Sequence, residues 1–295
     1  MMTKQKSKGI QVITEQGRTY LEVPHLEGKI RFDFAVKGPN TYIEVAKQLN
    51  EANLEQPTMA QNASLADVAW QNPEEKYSKE IIDTLRKSYL RCFNGILYSL
   101  KKEGVFIRDR PQIENEEIVM NASELESMLS SREEDGVVYS KDGSVRFVPF
   151  GYKIGEQSPK QLEKNHFVIA LAGKEGAEKL ARVSENYELK TCLYSFDKVD
   201  SDEVMVSSLY SNRNWYGGRL YVYGNLFDDD RDGRAFGLSP LGEAQTRKFS
   251  KDKTKQDNSS EEIKKYKEII KDIQIGKQPA SKLEEVINFL DSLAN

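Results

Sequence analysis

The clearest pattern near the start of the chain is an alternation. In residues 28–36 (GKIRFDFAV), Ile30, Phe32 and Phe34 fall on one face while Arg31 and Asp33 fall on the other, the period of a half-buried strand. β-prone runs over 9–14 and 18–23, joined by a turn at Gln16-Gly17, precede it, and Gly38-Pro39 ends it. Helical spacing follows. Thr41 with Glu44 makes a capping box ahead of Val45, Leu49 and Ala52. Ser64 opens a short helix through Trp70, and Asn72-Pro73 reads as a cap followed by proline in the first helical position. The longest helical pattern is predicted over 73–103, where Ile81, Ile82, Leu85, Tyr89, Phe93, Ile96, Leu97 and Leu100 recur at threes and fours, with Gly95 a weak point and Gly104 a stop.

Beyond it the pattern predicts a strand over 105–108 and a second capping box, Ser123 with Glu126, before Leu125, Met128 and Leu129. A hairpin over 136–150 turns at Lys141-Asp142-Gly143. Residues 166–197 read as strand, helix and strand. HFVIALA is a continuous apolar run, as in a strand covered on both faces, and it begins at His166, read as a core histidine. Gly173 makes the turn, 174–187 is helical, and KTCLYSF is the second strand. Further strands are expected at 203–209, 219–224 and 234–238.

After Gly242 the apolar positions thin out. Residues 244–258 hold five basic and two acidic residues with almost nothing to bury, the composition of a flexible linker. Two capped helices come next. Ser259 with Glu262 precedes Ile263, Tyr266, Ile269, Ile270 and Ile273, and Ser281 with Glu284 opens a helix carrying Leu283, Val286, Ile287, Leu290 and Leu293. Such a hairpin buries too little to stand alone, so it must dock on the main body, on a protein partner or on a second copy of the chain.

These elements define an α+β protein: mixed sheets with packed helices, followed by a flexible linker and a C-terminal helical hairpin. With 295 residues the chain is long for one core. The expected division is an N-terminal α+β region over 1–135 containing the long helix, a strand-rich α/β region over 136–242, the linker over 243–258 and the hairpin over 259–295. Composition narrows the setting. A net charge of −4 lacks the global basic footprint of duplex binders. The two cysteines, Cys92 and Cys192, exclude a disulfide framework and suit a reducing cytoplasm. The first residues lack the apolar stretch of a secretory signal, and no segment approaches a spanning helix, so no membrane association is expected.

Candidate chemistry concentrates in 210–238, YSNRNWYGGRLYVYGNLFDDDRDGRAFGL. Asp228, Asp230, Asp232 and Gly233 match D-x-D-x-D-G, the opening of a calcium loop of EF-hand type, in which alternating carboxylates converge and the glycine allows the turn. The twelfth position is Ser239, where the bidentate glutamate should stand, and the flanks read as strands. The alternative is an acidic hairpin loop in water, with Arg231 and Arg234 offsetting its charge. In the same stretch, Leu220-Tyr221-Val222 and Gly224-Asn225-Leu226 resemble the first-strand motif of RNA-recognition-motif domains, which stack bases on sheet aromatics. Tyr223 interrupts that motif and the partner motif is missing. What survives is a face bearing Arg219, Tyr221 and Tyr223, able to stack a base, a sugar or a proline-rich peptide, or else to pack beneath a loop.

A cysteine–histidine pair could be assembled from Cys92 or Cys192 with His25 or His166, but each cysteine lies within an apolar pattern and reads as an inert packing residue, so no catalytic residue is assigned. Three readings remain. The first is a soluble binding or assembly protein that uses a ligand surface of Trp215, Tyr216, Arg219, Tyr221 and Tyr223, or self-associates through its terminal helices. The second is a metal- or nucleotide-assisted hydrolase built on Asp228, Asp230 and Asp232, with calcium as the candidate ion. The third is single-stranded nucleic-acid binding through the Arg219, Tyr221 and Tyr223 face.

Overall fold

In the computed structural model, which describes residues 10–15, 17–212 and 218–239, the alternating runs near the start form a hairpin-rich sheet. Strands β1 (Gln11–Glu15), β2 (Arg18–His25) and β3 (Gly28–Asp33) pair antiparallel. Phe32 is buried, as the alternation requires, and so is Arg31 on the opposite face, held 3.0 Å from the buried carboxylate of Glu22. A buried charge of this kind is tolerated only with such a partner. The short β4 (Lys37–Asn40) leads into helix α1 (Tyr42–Glu51), where Thr41 caps by accepting from the Glu44 amide.

Helix α2 (Met59–Gln71) starts earlier than the spacing suggests. Its capping box is Thr58 with Gln61, and Ser64 is buried within it. Asn72 is its C-cap, and Pro73 precedes α3 (Lys76–Lys87) without belonging to it. The helix expected to run to residue 103 ends at Ser88, whose backbone is extended, and β5 (Tyr89–Ser99) takes over. In β5 every residue after Tyr89 is buried. A strand covered on both faces loses its polar alternation, so the apolar positions left in it, Tyr89, Phe93, Ile96 and Leu97, imitate helical spacing. Gly95 is the reason this strand can run where it does. A side chain there would meet Met120 Sδ at 2.6 Å and Pro111 at 2.9 Å.

The chain continues through β6 (Gly104–Asp109), β7 (Gln112–Glu114), β8 (Glu117–Val119), α4 (Ala122–Met128, capped by Asn121) and β9 (Leu129–Glu134). The expected hairpin is β10 (Val137–Ser140) and β11 (Val145–Pro149). After β12 (Gly155–Gln157) and α5 (Pro159–Leu162), the run HFVIALA begins α6 (His166–Ser184) and is not a strand. Asn165 caps this helix by accepting from the amides of Phe167 and Val168, and burial on all sides removes the polar face that would have revealed it. Gly173 does break the regular backbone, with φ 70° at a kink. His166 is exposed at the helix start, not a core residue. The remaining strands are β13 (Thr191–Tyr194), β14 (Glu203–Asn212), β15 (Arg219–Leu226), β16 (Gly233–Ala235) and β17 (Leu238–Ser239).

One eleven-stranded sheet dominates, with the order β12-β13-β15-β14-β5-β6-β11-β10-β9 and with β16 joining β5 to β4. It takes strands from both sides of residue 135 and mixes parallel and antiparallel pairs. β17 closes the small sheet against β3. Six helices are present among the described residues, so the body is mixed sheets with packed helices. Helices α2, α3 and α6 cover one face of the large sheet, where Leu90, Cys92, Leu209, Leu220 and Val222 join their core. The opposite face is covered at one place by α1, whose Tyr42, Val45 and Leu49 pack with Phe93, Val206 and Ala235. No helix of the described residues is long and apolar enough to cross a membrane. The linker over 243–258 and the hairpin over 259–295, with the self-association assigned to them, lie outside the described residues.

Candidate functional site

Strand alternation settles what each residue of β15 does. Leu220, Val222 and Gly224 are buried toward the helices, while Arg219, Tyr221 and Tyr223 point the other way and stay half-buried. The neighbouring strands extend that second face in register. Tyr223 pairs with Tyr194 of β13 and with Ser208 of β14, and Ser208 in turn pairs with Arg91 of β5. Tyr221 pairs with Cys192 and with Tyr210, and Leu209 opposite Leu90 places Tyr210 beside Tyr89.

The outcome is a tyrosine row across four adjacent strands. Tyr194 stacks on Tyr223 with centroids 4.9 Å apart and planes 10° from parallel. Tyr221 stacks on Tyr223 at 6.0 Å, on Tyr194 at 6.0 Å and on Tyr210 at 5.9 Å. Tyr89 closes the row, 5.2 Å from Tyr210 and edge-on to Tyr223 at 5.4 Å. Offset and edge contacts of this kind are worth about 0.5–1.5 kcal/mol each beyond area burial, so the row is a stiff surface. Tyr194 is the most open ring, 41% exposed. Burial pushes the Tyr223, Tyr89 and Tyr194 hydroxyls above the ordinary phenol range, which leaves these three rings neutral at physiological pH.

Both arginines beside the row have a carboxylate partner. Arg219 Nη2 donates to Glu156 Oε1 at 2.5 Å. Arg91 is fully buried, with its guanidinium 6.0 Å from the Tyr89 ring. Its Nη2 donates to the Asp230 carbonyl and lies 3.7 Å from the Asp230 carboxylate. Burial lowers the Arg91 pKa, and the nearby Asp230 charge works against that shift.

The aspartates of the turn after β15 are used structurally. The Asp228 carbonyl accepts from the Tyr42 amide at 2.9 Å and the Asp232 carbonyl from the Tyr89 amide at 3.1 Å. Asp230 Oδ1 accepts from the Asp232 amide at 2.9 Å. Among the described residues no group of three or more His, Cys, Asp and Glu could hold a metal ion, and Asp228, Asp230 and Asp232 do not form one. The backbone of the turn therefore fastens α1 and β5 together. Trp215 and Tyr216 lie outside the described residues.

Tyr89, Tyr194 and Arg91 escaped the reading of the sequence. Tyr89 and Arg91 were hidden by the false helical spacing across β5. In KTCLYSF, Cys192 and Tyr194 alternate with Leu193, and that alternation is the signal that could have placed Tyr194 beside Tyr223.

Comparison with known proteins adds little. No family model matches the chain, and no curated protein matches it. A chain from a solved structure, described as the accommodation of massive sequence variation in Nanoarchaeota by the C-type lectin fold, is similar with a TM-score of 0.45 and 10% identity, covering 69% of this chain and 95% of that one. A similarity of this size is too slight to transfer fold or function.

Proposed function

We propose that the tyrosine row is a recognition surface for a protein partner, and that this chain is a binding protein and not an enzyme. The observation that carries the reading is the stacked set Tyr194, Tyr223, Tyr221, Tyr210 and Tyr89 on a sheet face that α2, α3 and α6 leave uncovered. Tyrosine offers a large apolar body at a low cost in side-chain entropy, and a polar tip that stays soluble while unbound. It is accordingly enriched where proteins grip other proteins. A nucleic acid would need cations free to meet phosphates. Arg219 and Arg91 both have carboxylate partners, and the adjoining turn is acidic.

The test places a photo-crosslinking amino acid at position 194, identifies the captured protein, and measures its affinity in purified form. Tyr221→Ala and Tyr194→Ala should each weaken binding by about tenfold or more, as central aromatic contacts do. Thermal melting separates loss of binding from loss of fold. Undiminished affinity in both variants, each still folded, would sink the reading.

A further inference from the structure

A cleft of about 340 Å³ lies between the segment before β12 and the start of α6, lined by Lys153, Lys160, Lys164 and His166 together with Gln157 and Asn165. No carboxylate lines it. The cavity near β3 has Asp33, that between the β9–β10 turn and α6, which shares Lys164 and His166 with this cleft, has Asp135, Glu163 and Glu178, and that below α1 has Glu55. In a chain with 47 acidic and 43 basic residues, a cavity lined by bases without acids is a departure. Moreover, Lys153, Lys160 and Lys164 make no ion pair among the described residues, whereas Lys174 and Lys179 on α6 each have one.

The frame that presents these bases is fixed. Asn165 Nδ2 donates to the Lys153 carbonyl at 2.7 Å, and the buried Gln157 amide donates to the same carbonyl at 3.3 Å. His166 is seated against Gly136, where a side chain would come within 2.8 Å of the imidazole. The α6 amides next to the cleft are already satisfied by the Asn165 side chain, so an incoming group would meet side-chain cations and not a free helix end.

We propose that this cleft binds a small multiply charged anion, a phosphoryl or sulfate group. Like charges held together without ion-pair partners repel one another, even at exposed positions such as Lys153, Lys160 and Lys164, and an anion relieves that repulsion. Lysine acts as a compact point charge with rotatable donors, so the site reads charge more than shape. A volume near the lower end of ligand cavities suits one such group with a small organic body.

Isothermal titration with inorganic orthophosphate, pyrophosphate and tripolyphosphate at low ionic strength tests this. One saturable site per chain is expected, tightening in that order. Lys153→Ala/Lys160→Ala/Lys164→Ala should lower the pyrophosphate affinity by about tenfold or more, since each paired charge contributes a charge-assisted bond. The charge-matched control Lys76→Ala/Lys87→Ala/Lys101→Ala, at exposed positions elsewhere, should leave it nearly unchanged. Adenosine diphosphate and a sulfated disaccharide run beside pyrophosphate name the organic part: the one that binds more tightly identifies it, and equal affinity assigns the site to the anion alone. Absence of saturable binding, or an equal loss in both triple variants, overturns the proposal. None of the tyrosines of the recognition row lines this cleft, so its failure would leave the partner-binding reading untouched.

Discussion

Gly233→Ala is the most exacting check on how the tyrosine row is supported. Gly233 pairs with Tyr89 of β5 and Asn40 of β4, and a methyl group on it would lie 1.9 Å from Arg91 Nε and 2.7 Å from Cζ. Comfortable heavy-atom contact needs about 3.5 Å, so the guanidinium must move by about 1.5 Å or more. It has no open space to enter, because Arg91 is fully buried under Tyr89 and the Asp228–Gly233 turn. Moving it forfeits the charge-assisted bond to the Asp230 carbonyl, about 1.5–3 kcal/mol. Overpacking adds about 1–3 kcal/mol. The substitution should therefore cost about 3–6 kcal/mol, read by urea denaturation with two spectroscopic probes. The cause is isolated by repeating it where the head group is gone. In an Arg91→Met background, or Arg91→Ala if the first folds poorly, the methyl has room and its cost should fall below about 1 kcal/mol, a coupling far above the additivity error. A Gly233→Ala protein within about 0.5 kcal/mol of the parent, or an equal cost in both backgrounds, would refute this account of the buried arginine.

Three further outcomes are expected. His25 Nδ1 lies 2.9 Å from Ser64 Oγ, which also accepts from Lys179 Nζ at 2.9 Å, and Glu175 pairs with Lys179. Burial and then the Lys179 charge lower the His25 pKa below 6.5, with Glu175 opposing, so the unfolded chain binds the proton more readily. Stability present above pH 6.5 should be lost as the pH falls below it, and pH-dependent melting of His25→Gln should show a flatter profile from pH 7 toward 5; an unchanged slope would contradict this. Asn165→Ala removes the cap of α6 and should cost about 1–2 kcal/mol in chemical denaturation. Cys92 is fully buried and desolvation pushes its thiol up to about 12, so Ellman's reagent at pH 8 should fail to modify Cys92 until the protein unfolds.

The sequence was most legible where an element sets polar residues opposite apolar ones. The runs at β2, β3, β10 and β11 showed their alternation, and α1 showed its stripe, because each has a polar side, even in β3, where Arg31 and Asp33 are themselves buried beside their partners. The same contrast made the face of Arg219, Tyr221 and Tyr223 readable before any neighbour was known. It failed where burial is complete. β5 and the first half of α6 are covered on all sides, so period could not separate helix from strand, and each was assigned the wrong state. The register that carries Tyr221 to Tyr210 and on to Tyr89 is a long-range property, fixed by bulges near Cys92–Gly95 and Val206–Ser208 that no local pattern announces. The supporting role of the acidic turn was hidden for a related reason. Its D-x-D-x-D-G spacing is local, while the partners that take up its groups, Arg91, Tyr42 and Tyr89, come from far away in the chain.

Those partners explain why one sheet face changes character along its length. Under α1 it is aliphatic and aromatic, with Phe93, Val206 and Leu226 packed against the helix. Past Arg91 it becomes tyrosine, although no described helix covers it there. A face destined only for internal cover gains nothing from five hydroxyl groups that must each find a partner when buried. A face that spends part of its time in water gains solubility from them, and gives up little when a partner arrives, because stacking has already fixed the rings. The buried Arg91 fits the same logic. It locks the Asp228–Gly233 turn to β5, and so holds Tyr89 in line with Tyr210 and Tyr223 before anything binds.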